Sequence, residues 1–392
     1  MKRVVFAWQL GAGLGHAMPL AGLAQAMVVR DKKIDPVFCF CDPARGRVAI
    51  RQDWPVLPSP QTTTDIHASS RAPSYIQTLA ALGFGEPEAL APSLDCWDDI
   101  FRVTGAEALV ADHAPTALAA AHGRLPSVAM GSGFTLPPSQ TPEFPSLRDD
   151  RPPPTLHNRF LSAVNHVFAE RDVPRLDSLP AVLKADLRGF LSLPHLDPYA
   201  LFRDDQPLGV AGQRLSPTPA DPDGPIFLYT RSDETKLDAV VDGLLATGRP
   251  IEAFILGGAT PAAALLEQAG ANVHLSPSAL DELLPRASMV VSHGGAGLTG
   301  KALCAGRKQL ILPIHLESEI TGLRIEAFGT GVSLKAAAPA TVTAAIERLS
   351  DTSGFQEKAD QVAAQIAAMG LPDDPLDHLA EQALAVISQA MP

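Results

Sequence analysis

Apolar and polar positions along the chain fall into two repeating kinds of run. Short, almost unbroken apolar runs such as "RVVFAWQL" and "DPVFCFCD" predict strands buried on both faces. Between them "AMPLAGLAQAMVVR" repeats apolar residues at helical spacing, and "GAGLGH" supplies the turn. Further on, "ALVAD" and "PSVAMGS" predict two more strands, with "APTALAAAHG" as the helix between them. This βαβ rhythm predicts a parallel sheet covered by helices.

The rhythm breaks from 203 to 225, where "RDDQPLGVAGQRLSPTPADPDGP" is rich in Pro, Gly and Asp. It then restarts with "PIFLYT", "IEAFILG", "ANVHL", "SMVVSHGG" and "KQLILPIH" as strands and helical patches between them. A second Pro-rich stretch, "RDDRPPPTLHN", reads as a loop inside the first half. The predicted architecture is α/β: two doubly wound, Rossmann-like domains facing each other across a cleft. Their expected bounds are 1–205, a linker over 206–224, and 225–372. A terminal helix over 373–392 is free to pack back on the first domain.

A chain of 392 residues is comfortable as two domains. Its 43 acidic residues outweigh 31 Lys and Arg with no basic run, which argues against nucleic acid or an anionic membrane surface as main partner. No apolar stretch reaches membrane-spanning length. The four cysteines show no disulfide framework or zinc spacing, so a reducing, cytoplasmic setting is expected. The opening "MKRVVFAWQL" reads as a first strand rather than a leader, because "GAGLGH" interrupts it at once.

In doubly wound sheets ligands bind outside the carboxyl ends of the strands, so the residues directly after each apolar run carry the candidate chemistry. In "GAGLGHAMP", Gly11, Gly13 and Gly15 allow close approach to the backbone, and His16 opens a helix whose dipole favours neutral imidazole, the form a general base needs. A dinucleotide fingerprint is the competing reading, with Asp42 as its ribose acid. "ALVADHAP" ends in Asp112, either a helix N-cap or a carboxylate that orients a histidine ring. In "SHGGAGLTGKALCAG", His293, Gly294, Gly295, Gly297 and Thr299 sit at a strand-to-helix turn, where backbone N–H groups and the dipole attract an anion. The loop "LILPIHLESEITGLR" brings His315, Glu317, Ser318 and Glu319, a set suited to sugar hydroxyls or to a plain exposed cap.

These features together resemble the UDP-glycosyltransferase-like branch of the two-domain GT-B glycosyltransferases, most strongly over 272–334 and 4–30. The resemblance implies that "SHGGAGLTGKAL" holds the diphosphate of a nucleotide-sugar through His293, Gly294, Gly295, Gly297 and Thr299. It implies that "PIHLES" meets the donor sugar through Glu317 and Ser318. It assigns Thr230, Arg231 and Ser232 of "LYTRSDE" to the phosphates, and Leu275 and Ser276 to the nucleobase. "GHAMP" reproduces the family's histidine turn, so His16 would take the acceptor's proton with Asp112 orienting its ring. The implied reaction is inverting and needs neither metal nor cofactor, the nucleotide-sugar being a co-substrate.

Two positions depart from the family pattern. Lys301 stands where many UDP-sugar users have a ribose-binding Glu, which opens the site to dTDP-sugars; Lys301 then either reaches a phosphate or lies on the helix surface. Ser318 replaces a Gln that reads sugar hydroxyls. The acceptor, a small molecule, lipid or glycan, would be shaped by first-domain loops about 58–97 and 131–165, with Phe84, Trp97, Phe134, Phe144 and Phe160 as lining or plain packing. Peripheral membrane contact stays open. Competing functions are a non-hydrolysing nucleotide-sugar epimerase, an NAD(P)-dependent oxidoreductase and a catalytically silent nucleotide-binding partner.

Overall fold

The computed structural model describes residues 1–11, 14–61, 74–147, 154–274 and 280–389. It divides into two compact units, Met1–Gly212 together with Asp374–Pro392, and Gln213–Asp373.

The first unit holds a six-stranded parallel sheet built from β1 (Lys2–Trp8), β2 (Ile34–Phe40), β3 (Val56–Pro58), β4 (Ala108–Asp112), β5 (Ser127–Gly131) and β6 (Leu187–Phe190). Their spatial order is β3-β2-β1-β4-β5-β6. Side chains alternate between the faces, as strand geometry requires. Val5, Ala7, Leu109 and Ala111 join Trp97 and Phe84 in one core, while Val4, Phe6, Trp8 and Val110 join the opposite one. The second unit repeats the layout with β7 (Ile226–Arg231), β8 (Ile251–Leu256), β9 (Asn272–His274), β10 (Met289–Ser292), β11 (Lys308–Ile311) and β12 (Gly331–Ser333), in the order β12-β11-β10-β7-β8-β9.

Both sheets therefore run 3-2-1-4-5-6 in local order, and each reverses direction of winding between its first and fourth strands. In the first unit that reversal lies between β1 and β4, where Trp8 stands level with Asp112. In the second it lies between β7 and β10, where Tyr229 stands level with Ser292. Connections leaving the two strands on opposite faces open a crevice at their carboxyl ends.

Two regions expected as acceptor loops contain regular structure. Helix Pro87–Thr104 begins with Pro at its first position and buries Leu90, Leu94, Trp97 and Phe101, a helical stripe that a reading fixed on strands passes over. Helix Pro154–Glu170 buries Phe160, Val164, Val167 and Phe168 on one face. The Pro-rich stretch taken as a linker is tied down on both sides. Leu208 N–H donates to Phe190 O in the first unit, and in the second Arg214 pairs with Asp373 while Arg307 donates to Thr218 O.

The terminal helix Pro375–Gln389 lies in the same core as helix Ala17–Arg30, sharing Leu20, Leu23 and Met27 with Leu376, Leu379 and Ile387. Gly22 makes this approach feasible, since a Cβ there would fall 2.7 Å from Leu376 Cδ1. Arg30 and Asp377 form an ion pair at the edge of the contact. Replacing Gly22 by Val is expected to lower stability by about 1–3 kcal/mol through overpacking. Urea unfolding measures it, and an unshifted midpoint would show that the terminal helix does not bear on this face.

Candidate functional site

In the first unit the switch point brings together residues from three segments. Asp112 ends β4, is 3% exposed, and its Oδ1 lies 3.0 Å from His16 Nδ1. The capping role weighed for Asp112 falls away: helix Pro115–Ala121 starts after Ala114 and takes no bond from the carboxylate. His16 sits at the N-cap of helix Ala17–Arg30, and its ring stacks on Trp8 with centroids 5.7 Å apart. Gly11, at φ +100°, is needed beside that ring, because a Cβ would sit 2.5 Å from His16 Nε2. At this position the glycine makes room for imidazole. Gly13 lies outside the described residues. Asp42, the candidate ribose acid, instead caps a short helix by accepting from Arg45 N–H at 2.9 Å.

The loop that follows β5 is held by buried charges with no obvious sequence signature. Arg203 pairs with Asp197 and Asp205, and donates to Leu136 O and Gly133 O at 2.9 and 3.0 Å. Arg188 pairs with Asp205 and donates to Pro137 O at 2.7 Å. Asp205 is held below the usual carboxylate range by Arg188 and Arg203, against the upward push of its burial. Of the aromatic residues considered for the acceptor, Phe84, Trp97, Phe144 and Phe160 are buried, and Phe134 is half-buried. Trp97 donates from Nε1 to Thr116 Oγ1, which marks it as core.

In the second unit the turn after β10 opens helix Ala296–Cys304. Gly295 occupies the N-cap and, having no side chain, makes no cap bond to the helix's first N–H groups. Gly294 stands at φ +86°, with Ile311 Cγ2 filling the place a Cβ would take, at 2.7 Å. A Cβ on Gly295 would touch His293 Nε2 at 3.1 Å, so the imidazole borders the helix mouth. Gly297 has open space around it and is exposed. Burial, then the neighbouring His315 and Arg231 charges, push His293 down to about 4, so the ring is neutral at pH 7.

Several expected donor contacts take other roles. Thr299 is fully buried, and among the described residues its Oγ1 has no hydrogen-bond partner. Ser318, also fully buried, forms a reciprocal cap with His315: its N–H donates to His315 Nδ1 at 3.2 Å, and its Oγ accepts from His315 N–H at 3.1 Å. It shapes the loop instead of reading a sugar. Lys301 Nζ is paired to Asp281. Arg231 makes a two-pronged bond to Asp233, and Ser232 Oγ packs where a Cβ of Gly257 would fall, at 2.3 Å. Thr230 ends β7 beside Arg231, and half-buried Glu317 lies in the first turn of helix Leu316–Ala327. Leu275 and Ser276 lie outside the described residues. Lys236, which sequence reasoning passed over, donates to Pro313 O and Lys335 O and anchors the loop after β11.

Residues 258–381 match the family model described as erythromycin biosynthesis protein CIII-like, C-terminal domain. Over 86 residues the chain is 34% identical to the sterol 3-beta-glucosyltransferase of Candida albicans, a stretch that covers 22% of this chain and 6% of that protein. The enzyme of the same name from Pichia angusta matches at 34% over 86 residues, 22% of this chain and 7% of its own. The matched stretch thus spans only a small fraction of these curated relatives.

Solved structures agree over the whole length. The calicheamicin glycosyltransferase CalG4 superposes with a TM-score of 0.66 at 16% identity, covering 100% of this chain and 99% of its own. The spinosyn rhamnosyltransferase SpnG, complexed with spinosyn aglycone, gives 0.65 at 17%, covering 97% and 100%. The glycosyltransferase SsfS6 of Streptomyces sp. SF2575, complexed with thymidine diphosphate, gives 0.62 at 18%, with the same coverage. The fold is GT-B. Over residues 258–381 the sequence is similar to the C-terminal domain of the erythromycin biosynthesis protein CIII-like family, and the solved structures share the fold.

The depressed His293 has a consequence for stability. Unfolded imidazole takes a proton below its ordinary value of 6.5, whereas folded His293 refuses one until about 4. Its contribution is full above pH 6.5 and is lost as pH falls toward 4. Replacing His293 by Gln should therefore reduce the loss of unfolding free energy between pH 7.5 and pH 5 by up to about 2 kcal/mol. Identical pH slopes in denaturant titrations of the two proteins would contradict the assignment.

Proposed function

We propose that this chain is an inverting, metal-independent glycosyltransferase. It moves a sugar from a dTDP- or UDP-sugar to a hydroxyl of a small-molecule, lipid or glycan acceptor, with the nucleotide-sugar as co-substrate and no cofactor. The observation that carries the reading is the His16–Asp112 bond at the first unit's switch point. Asp112 engages Nδ1 and thereby fixes the ring's orientation, so Nε2 is the nitrogen that accepts a proton. The acceptor oxygen attacks the anomeric carbon as its proton passes to Nε2. The bond from that carbon to the phosphate oxygen breaks, and its electron pair leaves with the nucleoside diphosphate.

Leaving-group charge would be met in the second unit by the uncapped N–H groups at Gly295–Gly297 and by neutral His293 as a hydrogen-bond donor. A buried imidazole held neutral can donate to a diphosphate without the penalty of a buried unpaired charge. That SsfS6 was solved with thymidine diphosphate and SpnG with its aglycone supports a nucleotide donor and a hydroxylated acceptor here. Lys301, neutralised by Asp281, offers no carboxylate to ribose hydroxyls, which favours dTDP over UDP. All four cysteines are free, which suits a reducing cytoplasm, and among the described residues no helix is long and apolar enough to cross a membrane.

Thermal unfolding of the pure protein with dTDP, UDP and NAD tests the donor assignment. A ligand that binds only the folded state raises the transition by mass action. A shift with dTDP or UDP and none with NAD is expected; a shift with NAD alone overturns the reading. His16→Ala should cut turnover by roughly 10²–10⁴ while nucleotide affinity stays within about twofold, as loss of a positioned base does. Full turnover in that variant removes His16 from the reaction.

A further inference from the structure

His315 lies on the loop beside the glycine turn that follows β10, and the transfer chemistry leaves it unused. Its main chain and its ring are both pinned by one residue, the fully buried Ser318. Ile314 N–H and His315 N–H donate to Ser318 Oγ at 3.0 and 3.1 Å, and that hydroxyl donates to His315 O at 2.8 Å. Ser318 N–H in turn donates to His315 Nδ1 at 3.2 Å. Nδ1 is thus the acceptor nitrogen, and the proton of the neutral ring sits on Nε2. The two ring nitrogens point in divergent directions, so a ring that turns Nδ1 to the cap turns Nε2–H away from it.

Neighbouring strands and a close contact place this imidazole at the mouth of the glycine turn. β10 pairs with β11, and Leu312 N–H donates to Ser292 O at 2.8 Å, so the two following loops leave the sheet side by side. A Cβ on Gly294 would come 3.4 Å from Ser318 O and 3.5 Å from Ser318 Cβ, so the capping residue lies against the turn itself. The two rings also sense each other: after burial, the His315 charge is the next cause that pushes His293 down to about 4. This rim is open to solvent, since His315 and Gly297 are exposed and a Cβ on Gly297 would meet nothing within 4 Å. Lys236 Nζ, donating to Pro313 O and Lys335 O at 3.1 and 3.2 Å, ties down the stretch that leads into His315. Glu317 and Glu319 in the first turn of the helix offset its dipole, so the backbone there gives an anion little. What the loop offers an anion is the Nε2–H.

We propose that His315 is a second imidazole donor of the nucleotide site, giving its Nε2–H to a phosphate oxygen of the donor diphosphate next to His293 and the Gly295–Gly297 N–H groups. This rests on the glycosyl-transfer reading and adds a donor-binding residue to it. A hydrogen bond to a charged acceptor is worth more than one between neutral groups. The cap orients the donor before the ligand arrives, so little freedom is lost on binding. Charge accumulates on the diphosphate as the bond from the anomeric carbon breaks, so a donor fixed there aids departure as well as binding. Ser318, whose hydroxyl is used up in the cap, acts on the ligand through His315.

Calorimetric titration with thymidine diphosphate compares the full wild-type chain with His315→Ser. Serine is a preferred N-cap, so its Oγ can accept from Ser318 N–H and keep the loop, while nothing replaces Nε2–H. The variant is expected to bind about tenfold more weakly, the scale of one hydrogen bond to a charged group. A second readout does not depend on the variant's loop. In wild-type protein carrying nitrogen-labelled histidine, the magnetic resonance signals missing from the His315→Ser spectrum should report a proton on Nε2. That Nε2 signal should move at saturating thymidine diphosphate. Equal affinities overturn the contact, and so does a His315 signal that stays in place at saturation. A wild type that binds neither thymidine diphosphate nor UDP overturns the glycosyl-transfer reading along with the contact, a result distinct from loss of the contact alone.

Discussion

Both candidate sites depend on one topological constraint: a parallel sheet wound outward from its middle must reverse direction between two adjacent strands. At that seam the connections leave on opposite faces, and neither covers the carboxyl ends. β1 and β4 make the seam in the first unit, β7 and β10 in the second. His113, Ser232 and His293 directly follow β4, β7 and β10, Asp112 is the last residue of β4, and His16 caps the helix that the turn after β1 leads into. Their position follows from backbone topology before any side chain is considered. What the side chains add is chemistry: a carboxylate on an imidazole in one unit, an uncapped helix start with a neutral imidazole in the other.

This constraint explains why so much was legible from the chain alone. Strands buried on both faces are unbroken apolar runs, and the glycine turns that follow them are short, so β1, β4, β7, β10 and β11 and their terminal residues stand out. His16, Asp112, His293 and the glycines after it were identifiable because they occupy those ends. Gly11 was visible as a glycine but its purpose was not, since the contact it permits is with a side chain five residues later. Only the folded turn shows that imidazole, not ligand, fills the space.

Where side chains lie differently from expectation, the cause is helix phase. Thr299 and Ser318 were assigned to ligands because hydroxyls near a helix start can face outward, yet helix phase turns both inward. Thr299 falls on the buried stripe that packs helix Ala296–Cys304 against its sheet, and Ser318 falls at the third helical position, where it can cap reciprocally with His315. Residue type gave no means of distinguishing these phases. The buried charges of Arg188, Arg203, Asp197 and Asp205 were equally invisible, since their partners lie 2 to 70 residues apart and become a network only once β5 and β6 pair.

That network also fixes the segment that follows β5. A buried ion pair stripped of one partner leaves an uncompensated charge, so such clusters hold their geometry firmly. Here the guanidinium groups also donate to three main-chain carbonyls of the segment after β5, Gly133, Leu136 and Pro137. That segment leads on to Phe144, whose N–H donates to His157 Nε2 at 3.2 Å and whose ring packs on Tyr75. The segment from β5 to Phe144 is thus secured by charge from one side and by ring packing on Tyr75 from the other. Both anchors lie in the unit that holds the His16–Asp112 pair, so the loop after β5 is fixed independently of the bond between those two side chains.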